Sequence, residues 1–516
     1  MPLSPCANAA DHALAGTFET READWRMGAV VYQVLVDRFA PSASLDAKRH
    51  LYPAPKVLRG WDELPAQGHY LEAHRLWSHE IEFWGGDLAS TAAHLDHVVD
   101  LGADVLYLNP IHLAYTNHKY DALDYLQVSP EFGTRDDVKA LANAAHQRGL
   151  KLVLDGVFNH MGRNAPAFQA AAADPAHPQR DWFVFDDTLP GGARCWWRAE
   201  NLPELNLENP AVRAHVYGAH DSAVRSYLRD GIDGWRLDVA FDIGPAYLQA
   251  LTHAAHAEKP GSLVVGELAN YPKEWFPAVD GVMHFGLRQM ILRLCNGQLP
   301  VATFGAMFQR LVDDCGVDNL LRSWIYLDNH DTARLATTVP DAAARRLAQV
   351  LQFTLPGSPN LYYGGEIDMA GGNDPAMRAP MRWQDVHPGN AALQWTRHLV
   401  ALHRGQRALR VGNHRAITTT RLLGYERHTD RVADTVVVLL NPSPEPVRET
   451  VLVGNSKLMD GTRWKDLLAG TPNAAAGAPP PLWSGLMDVE LPPWGTLVLQ
   501  PDTTPLGGYT NYKRVQ

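Results

Sequence analysis

The sequence predicts an α/β fold: a (β/α)8 TIM barrel with a small inserted subdomain after the third strand and a C-terminal antiparallel β-sandwich domain. Three observations predict it. Short apolar runs alternate with helical segments over most of the chain, polar residues follow those runs, and beyond residue 405 closely spaced short strands replace the helices. The 516 residues suit a barrel of about 250 residues or more with a smaller second domain.

The domain boundaries follow from changes in sequence pattern. Residues 1–25 are rich in Ala and are interpreted as a poorly packed N-terminal leader. Residues 26–404 form the predicted barrel, with an insertion at about 160–210 that is rich in Pro, Trp and Asp, and residues 405–516 form the C-terminal β domain. An open doubly wound sheet is the alternative, but no Gly-x-Gly-x-x-Gly turn follows the first strand.

Eight short apolar runs predict the barrel strands. In chain order they cover residues 30–36, 104–110, 151–155, 234–239, 263–267, 281–284, 323–328 and 360–364. Helical patterns between them include residues 90–101, 135–148 and 211–229. Ser90 or Thr91 is the expected N-cap of the first of these helices, and Thr134 of the second. The repeat of strand and helix predicts parallel strands whose carboxyl ends meet at one end of the barrel.

The composition excludes several classes of partner. The chain has 57 acidic and 46 basic residues, a net charge of −11 and no long basic run, so neither nucleic acid nor an anionic membrane is an expected partner. No apolar segment approaches membrane-spanning length and no secretory signal is visible, which favours a cytoplasmic location. Fifteen Trp and seventeen Tyr residues suit stacking on the rings of a neutral sugar.

The four cysteines, Cys6, Cys195, Cys295 and Cys315, are scattered along the chain without a close pair. This spacing predicts neither a disulfide framework nor a zinc motif. The thiols are therefore expected to be free.

Three carboxylates follow three of the predicted strands. Asp238 ends the fourth strand, Glu267 ends the fifth, and Asp331 comes shortly after the seventh. Because these strand ends meet at one end of a barrel, the three side chains are expected to share a cleft. A single carboxylate at a strand end is more often a helix cap or an ion-pair partner. Three of them, with an arginine and two histidines beside them, favour catalysis.

The expected chemistry of the carboxylates is cleavage of a glycosidic bond, with one as acid and another as base or nucleophile. Asp238 and Glu267 end adjacent strands, which favours the retaining geometry, with about 5–5.5 Å between the carboxyl groups. Arg236 is expected to keep Asp238 ionised as nucleophile, whereas Glu267 follows an apolar strand and is expected to have the raised pKa of a proton donor. Asp331, next to His330, can stabilise an oxocarbenium-like charge.

Four motifs occur in order on the predicted strands: Asp155-Gly156-Val157-Phe158-Asn159-His160, Gly234-Trp235-Arg236-Leu237-Asp238-Val239, Gly266-Glu267 and Leu327-Asp328-Asn329-His330-Asp331. Together they resemble the α-amylase superfamily of glycoside hydrolases, and the resemblance runs from about residue 28 to the C-terminus. It implies that Asp238 is the nucleophile, Glu267 the general acid/base and Asp331 the transition-state stabiliser. It also implies a substrate-binding set consisting of His118, Tyr120, Asp121, His160, Arg236, His330, Asp374 and Arg378.

A further motif at residues 202–206 resembles the Met-Pro-Lys-Leu-Asn motif of cyclomaltodextrinases, neopullulanases and maltogenic amylases. Those relatives usually carry an N-terminal β domain that builds a dimer, whereas the barrel pattern here starts almost at once, so a monomer and a homodimer both stay open. Two departures, Glu204 in place of lysine and Ala269-Asn270 after the acid/base residue, lie where leaving-group sugars are expected to bind.

The resemblance implies a retaining hydrolase that cleaves α-1,4-glucosidic bonds of cyclomaltodextrins and maltooligosaccharides through a covalent glucosyl-enzyme intermediate, with some transglycosylation. The alternative is an α-glucosidase or a glucosyltransferase that acts on α-1,6-linked or sucrose-type substrates. A more remote alternative is an inactive homologue that binds sugar or a partner protein, but the intact set of carboxylates argues against it.

No cofactor and no essential metal are expected. Asn159 matches a position that binds calcium in many α-amylases, which leaves a bound calcium ion open. Calcium needs six to eight oxygen ligands, and the loop after the first strand lacks a dense cluster of Asn and Asp residues.

Overall fold

The computed structural model describes residues 7, 9–509, 512, 514 and 515. Cys6 lies outside these residues, and the other three cysteines have free thiols, as predicted. Among the described residues, no helix is both long enough and apolar enough to cross a membrane.

Eight parallel strands within residues 9–509 close into a barrel, which confirms the predicted fold. They are β1 (Val31–Val34), β2 (Val105–Leu108), β3 (Lys151–Gly156), β4 (Gly234–Leu237), β5 (Leu263–Leu268), β6 (Gly281–His284), β7 (Trp324–Tyr326) and β8 (Ser358–Tyr362). Each strand pairs with the next, and β8 pairs with β1 to close the ring.

Side chains of each barrel strand alternate between two layers of core. In β2, Val105 and Tyr107 belong to the cluster inside the barrel, whereas Leu106 and Leu108 belong to the cluster between the barrel and its helices. Both faces of a parallel strand are therefore buried, which explains why the strands read as continuous apolar runs in the sequence.

Helices connect the strands and cover the barrel. The longer ones are α1 (Ala9–Ala23), α2 (Leu88–Ala93), α3 (Leu95–Leu101), α4 (Arg135–Gln147), α5 (Pro166–Ala173), α6 (Ala223–Arg229), α7 (Pro245–Glu258), α8 (Phe285–Cys295), α9 (Val301–Cys315), α10 (Ala342–Thr354) and α11 (Ala391–Gly405). Other helical segments include Val36–Phe39, Leu45–Lys48, Pro210–Arg213, Ala214–Gly218, Ala240–Ile243, Val317–Arg322, Leu335–Thr338 and Arg407–Val411.

Two details of the predicted helices are wrong. The helix expected at 90–101 begins earlier, because the carboxylate of Asp87 accepts a hydrogen bond from the Ser90 N–H at 2.6 Å and forms the N-cap, and it is interrupted at His94. The helix expected at 211–229 is broken after Gly218, where the chain turns into an extended conformation at Ala219. Thr134, in contrast, caps α4 as predicted.

The interpretation of residues 1–25 as a poorly packed leader is also wrong for the described part. Helix α1 buries Phe18 completely, and Arg21 is only 5% exposed. The Arg21 guanidinium donates to Asp318 at 2.7 Å and to the Val411 carbonyl at 2.9 Å. These partners are far away in sequence, so the Ala-rich segment alone does not indicate that it packs against them.

The C-terminal domain is antiparallel, as predicted. Its strands are β9 (Asn413–Ile417), β10 (Leu423–His428), β11 (Val436–Leu440), β12 (Val447–Leu452), β13 (Trp464–Asp466), β14 (Leu486–Leu491) and β15 (Thr496–Pro501). A five-stranded sheet in the order β9-β10-β11-β15-β13 shares one apolar core with the pair β12-β14.

Three excursions from the barrel shape its carboxyl-terminal end. The segment between β1 and α2 contains two small strand pairs, Val57–Leu58 with Glu82–Phe83 and Tyr70–Leu71 with Leu76–Trp77. A hairpin of His112–Ala114 and Ala122–Val128 follows β2. The insertion after β3 contains α5 and isolated bridges, including His160 with Glu204 and Cys195 with Pro203.

Candidate active site

A cleft of about 470 Å³ opens at this end of the barrel, and we call it the charged cleft. Eight of the predicted site residues line it: His118, Tyr120, His160, Asp238, Glu267, Asp331, Asp374 and Arg378. Residues of the first excursion and of the insertion complete the wall, among them Tyr70, Arg75, Leu76, Trp77, Glu80, Trp196, Arg198 and Glu200.

The ends of β4 and β5 bring Asp238 and Glu267 together. Asp238 directly follows β4, where its N–H donates to the Gly156 carbonyl at 3.0 Å. The next residue, Val239, has a left-handed backbone with φ of 47°, which is rare for a β-branched residue. This conformation directs the Val239 N–H to Glu267 Oε2 at 3.0 Å, so backbone strain helps to orient the second carboxylate.

Arg236 lies beneath these carboxylates and is fully buried. Its guanidinium is 3.0 Å from Asp238 Oδ1, 2.8 Å from Glu267 Oε1 and 2.8 Å from Asp155 Oδ1. Although burial alone would lower it, the pKa of Arg236 is raised well above its usual value because Asp155 and Glu267 are so close. The Arg236 guanidinium therefore stays positively charged and forms ion pairs with three carboxylates.

Asp155 belongs to one of the four motifs but is not among the predicted site residues. Its carboxylate accepts hydrogen bonds from the Tyr107 hydroxyl at 2.6 Å and the Tyr120 hydroxyl at 3.0 Å, as well as from Arg236. It is buried, so it positions the groups around it rather than lining the charged cleft. The position of Asp155 at the start of the third-strand motif was the one feature of the sequence that could have indicated this role.

Asp331 is held in its ionised form by two cationic or polar neighbours. His330 Nε2 lies 3.0 Å from Asp331 Oδ2, and Arg378 Nη2 donates to Oδ1 at 3.2 Å. Burial alone would raise the pKa of Asp331, but His330 and Arg378 lower it below the usual value. His330 also stacks on Tyr120 with ring centroids 5.3 Å apart.

Arg236 lowers the pKa of Asp238, as expected, but two other influences outweigh it. Burial, and then the neighbouring Glu267 carboxylate, raise the pKa of Asp238 well above its usual value, and Arg236 offsets this only in part. Asp238 therefore retains its proton to higher pH than an isolated carboxyl group does.

The remaining predicted residues that line the charged cleft are tied into its wall. His160 Nε2 donates to the Tyr120 carbonyl at 3.1 Å, and burial lowers the pKa of His160 to about 4, so its ring is neutral near pH 7. His118 is 3.1 Å from Glu80. Asp374 is 3.1 Å from His79 Nε2 and 3.3 Å from Arg378.

Three predicted site residues do not line the charged cleft. Arg236 and His330 lie behind its wall and contact the carboxylates from there. Asp121 is the clear correction, because its carboxylate accepts hydrogen bonds from the backbone N–H groups of Tyr115 and Thr116 and holds the loop that carries His118. A short Asp in a loop satisfies nearby backbone donors before it reaches a ligand.

Sequence reasoning missed the aromatic and charged residues of the two excursions. Trp196 stacks on His160 with centroids 5.8 Å apart, and Trp77 is half-exposed in the cleft wall. Arg75 Nη1 lies 2.6 Å from Glu200 Oε2, so an ion pair joins the excursion after β1 to the insertion after β3. These loops show no periodic pattern of apolar residues, so their sequence does not indicate which of their side chains contact each other.

No group of three or more His, Cys, Asp or Glu side chains is arranged to hold a metal ion within the part of the chain that the structure describes.

Comparison with known proteins gives consistent matches. Residues 33–399 match the family described as alpha amylase, catalytic domain. Neopullulanase 2 of Thermoactinomyces vulgaris is 30% identical over 463 residues, which cover 87% of this chain and 74% of that protein. A cyclomaltodextrinase of a Bacillus species is 30% identical over 432 residues, covering 81% of this chain and 73% of that protein.

Solved structures of other proteins also match this chain over most of its length. The ligand-free cyclic alpha-maltosyl-(1→6)-maltose hydrolase of Arthrobacter globiformis has a TM-score of 0.75 and 28% identity, and the match covers 92% of this chain and 99% of that chain. A cyclomaltodextrinase structure has a TM-score of 0.77 and 28% identity, covering 93% of this chain and 78% of the other.

Proposed function

Because this chain belongs to the α-amylase family of catalytic domains, we propose that it hydrolyses α-1,4-glucosidic bonds of cyclomaltodextrins and short maltooligosaccharides. The observation that carries the proposal is the set of Asp238, Glu267 and Asp331 in one charged cleft, with Arg236 contacting the first two. The names of the relatives, cyclomaltodextrinase and neopullulanase, support the choice of substrate.

The proposed mechanism retains the anomeric configuration. Two carboxylates that contact a single guanidinium lie close together, which favours a direct attack by one of them over an inverting mechanism that needs room for water. Asp238 attacks the anomeric carbon while Glu267 donates a proton to the glycosidic oxygen. The glycosidic bond breaks and a glucosyl ester of Asp238 forms.

In the second step water attacks the anomeric carbon of the glucosyl ester. Glu267 takes the proton from this water, and the ester bond to Asp238 breaks. A sugar hydroxyl in place of water gives transglycosylation. Asp331, ionised beside His330 and Arg378, stabilises the positive charge that develops on the sugar in both steps.

The charge of Glu267 links the pKa of Asp238 to this scheme. The first step needs Asp238 ionised and Glu267 protonated, and the negative charge of Glu267 is one cause of the raised pKa of Asp238. A protonated Glu267 carries no such charge, so the acid form of Glu267 favours the ionised form of Asp238.

A second candidate substrate is a small ring that also contains an α-1,6 bond. The match to the cyclic alpha-maltosyl-(1→6)-maltose hydrolase covers nearly all of that chain and of this one. The same mechanism applies, and only the bond that is positioned between Asp238 and Glu267 differs.

A product time course separates these candidates. Cyclomaltodextrin, cyclic maltosyl-maltose, soluble starch, pullulan and sucrose are incubated in parallel with the enzyme and with Asp238→Asn as the matched control. Fast loss of cyclomaltodextrin and slow attack on starch would support the proposal. Attack on the mixed-linkage ring alone would favour the second candidate. Glucose release from sucrose with every ring untouched would overturn both.

The proposal includes no essential metal, and activity is expected to be unchanged by a chelator such as EDTA. Loss of activity on chelation that calcium restores would contradict it. A relative is named an intracellular maltogenic amylase, which supports the expected cytoplasmic location. Whether the enzyme acts as a monomer or a homodimer is measurable by light scattering.

A further inference from the structure

A second cavity, of about 570 Å³, lies across β5 from the charged cleft, and we call it the apolar cavity. Glu267 lines the charged cleft, whereas the next residue, Leu268, lines the apolar cavity. Successive side chains of a strand point to opposite faces, so one strand separates the two. The rest of the wall comes from the loop after β5, the end of β6, α8 and α9.

The wall of this cavity is predominantly apolar. Leu268, Val282, Phe285, Leu287 and Met290 contribute to it, and its volume is in the range of pockets that bind small organic molecules. A Cβ atom added to Gly286, another lining residue, would meet no heavy atom within 4 Å, so this part of the wall faces open space.

The charged groups at the rim satisfy one another. Asp314 accepts hydrogen bonds from the Tyr271 hydroxyl at 3.0 Å, from Lys273 Nζ at 3.2 Å and from Arg310 Nε at 2.5 Å. This mutual pairing gives the rim little attraction for an ionic ligand.

One buried polar side chain in the wall is unsatisfied. His284 is 3% exposed, and its Nε2 atom has no hydrogen-bond partner among the described residues. A buried polar nitrogen without a partner is costly, and a hydrogen-bonding group brought by a ligand removes that cost. Burial also lowers the pKa of His284 to about 4, so the ring is neutral near pH 7 and suits a neutral hydroxyl group.

We propose that the apolar cavity is a binding site for a neutral, single-ring aromatic alcohol, with the ring against the apolar wall and the hydroxyl group hydrogen-bonded to His284. The ring packs against Phe285 and Met290, because aromatic rings and thioethers contact each other favourably.

The test measures binding of p-cresol to the full-length enzyme by calorimetry or ligand-observed NMR. Ala306→Trp fills the cavity from α9, and Ala302→Trp, on an exposed position of the same helix that does not line the cavity, is the matched control. We expect saturable one-to-one binding by the wild type and the control, and loss of binding in Ala306→Trp. Absent binding by the wild type, or equal binding by all three proteins, would overturn the site.

The role of His284 is tested with a matched ligand pair. In p-xylene a methyl group replaces the hydroxyl group of p-cresol at nearly the same volume. His284→Leu is expected to weaken p-cresol binding about threefold to tenfold and to change p-xylene binding less than about twofold. Equal losses for both ligands would overturn the hydrogen bond. If His284→Leu does not fold, equal affinity of the wild type for both ligands has the same meaning.

Discussion

The charged cleft and the apolar cavity lie on opposite sides of one strand, yet they differ in almost every respect. The cleft concentrates carboxylates around a buried guanidinium, whereas the cavity offers apolar walls and one neutral imidazole. The alternation of β5 produces this difference, because Glu267 and Leu268 are adjacent in sequence and face opposite sides. A strand end in a barrel can therefore support two unrelated sites.

The comparison also shows how charge is distributed. In the cleft the three catalytic carboxylates are close to Arg236, Arg378 or a histidine, which offsets part of the cost of withdrawing their charges from water. In the cavity the corresponding cost in free energy comes from burying His284 Nε2, which has no hydrogen-bond partner among the described residues. Changes to the cleft should affect catalysis strongly, and changes to the cavity should affect ligand binding alone.

The largest effect is expected from Asp238→Asn. Loss of the nucleophile should lower kcat by about 10⁴-fold or more on cyclomaltodextrin, because the covalent intermediate does not form. Binding of p-cresol should remain within about twofold of the wild type, since Asp238 does not line the apolar cavity. Parallel kinetics and calorimetry check both parts. Weakened p-cresol binding would show that the two sites are not separate.

A smaller effect on the same side is expected from Asp155→Asn. The change leaves buried Arg236 with one carboxylate fewer, so the free energy of unfolding should fall by about 3 kcal/mol and kcat by about 100-fold. Denaturant unfolding and steady-state kinetics measure the two effects. The matched change on the cavity side, Met290→Leu, preserves apolar volume and should cost less than about 1.5 kcal/mol with kcat unchanged. Equal effects of both variants would remove the contrast between the regions.

The pH profile sharpens the contrast further. Activity should fall at low pH, where Asp238 gains a proton and no longer attacks the anomeric carbon. Because the pKa of Asp238 is raised, this acid limb should lie above the range of an ordinary carboxyl group. The lowered pKa of Asp331 keeps that group ionised throughout. Glu267→Gln removes one cause of the raised pKa of Asp238, so the acid limb of the residual activity on an aryl or fluoride substrate should move to lower pH. An unchanged limb in this variant would contradict the assignment.

The smallest effect concerns the ion pair between Arg75 and Glu200. These residues line the charged cleft, and their side chains are 39% and 37% exposed, so the pair is worth less than about 1 kcal/mol. Arg75 has a left-handed φ of 55°, and a Cβ atom at Gly191 would come within 2.8 Å of both side chains, so the local backbone is shaped around the pair.

Arg75→Glu and Glu200→Arg should each raise activity on soluble starch relative to cyclomaltodextrin by about twofold to threefold. Each change breaks the ion pair that joins the excursion after β1 to the insertion after β3, so these two parts of the cleft wall can move apart. The double variant, which restores an ion pair in reverse order, should return the ratio toward the wild-type value. Added salt should move the wild type toward the single variants. A starch ratio that is the same in all four proteins would show that the pair does not limit substrate size.

The barrel was predictable because its strands are buried on both faces and read as apolar runs at regular spacing. Thr134 was recognisable as a cap from local sequence alone. The break after Gly218 and the docking of α1 were not, since the first depends on a turn inside a helical pattern and the second on partners such as Val411, far away in sequence.

The candidate site was predictable at strand ends and less so in loops. Asp238, Glu267 and Asp331 share a cleft because parallel strands bring their ends together. Asp121 was predicted to bind substrate, but it satisfies backbone N–H groups of its own loop. The pKa of Asp238 depends on burial and on Glu267 more than on Arg236, and the sequence does not reveal burial. The apolar cavity was not predicted, although Ala269 and Asn270, which the sequence analysis noted as a departure from the family pattern, line it.

The central claim is that Asp238 forms a covalent glucosyl ester with Glu267 as the acid/base. Its most direct test is to incubate Glu267→Gln with α-maltosyl fluoride, whose leaving group needs no proton, and to measure the intact mass. The account predicts that one maltosyl unit accumulates on the enzyme, because the neutral amide of this variant does not activate water, and that peptide mapping locates the unit on Asp238. Absence of an adduct under turnover of the fluoride, or an adduct on another residue, would contradict the account.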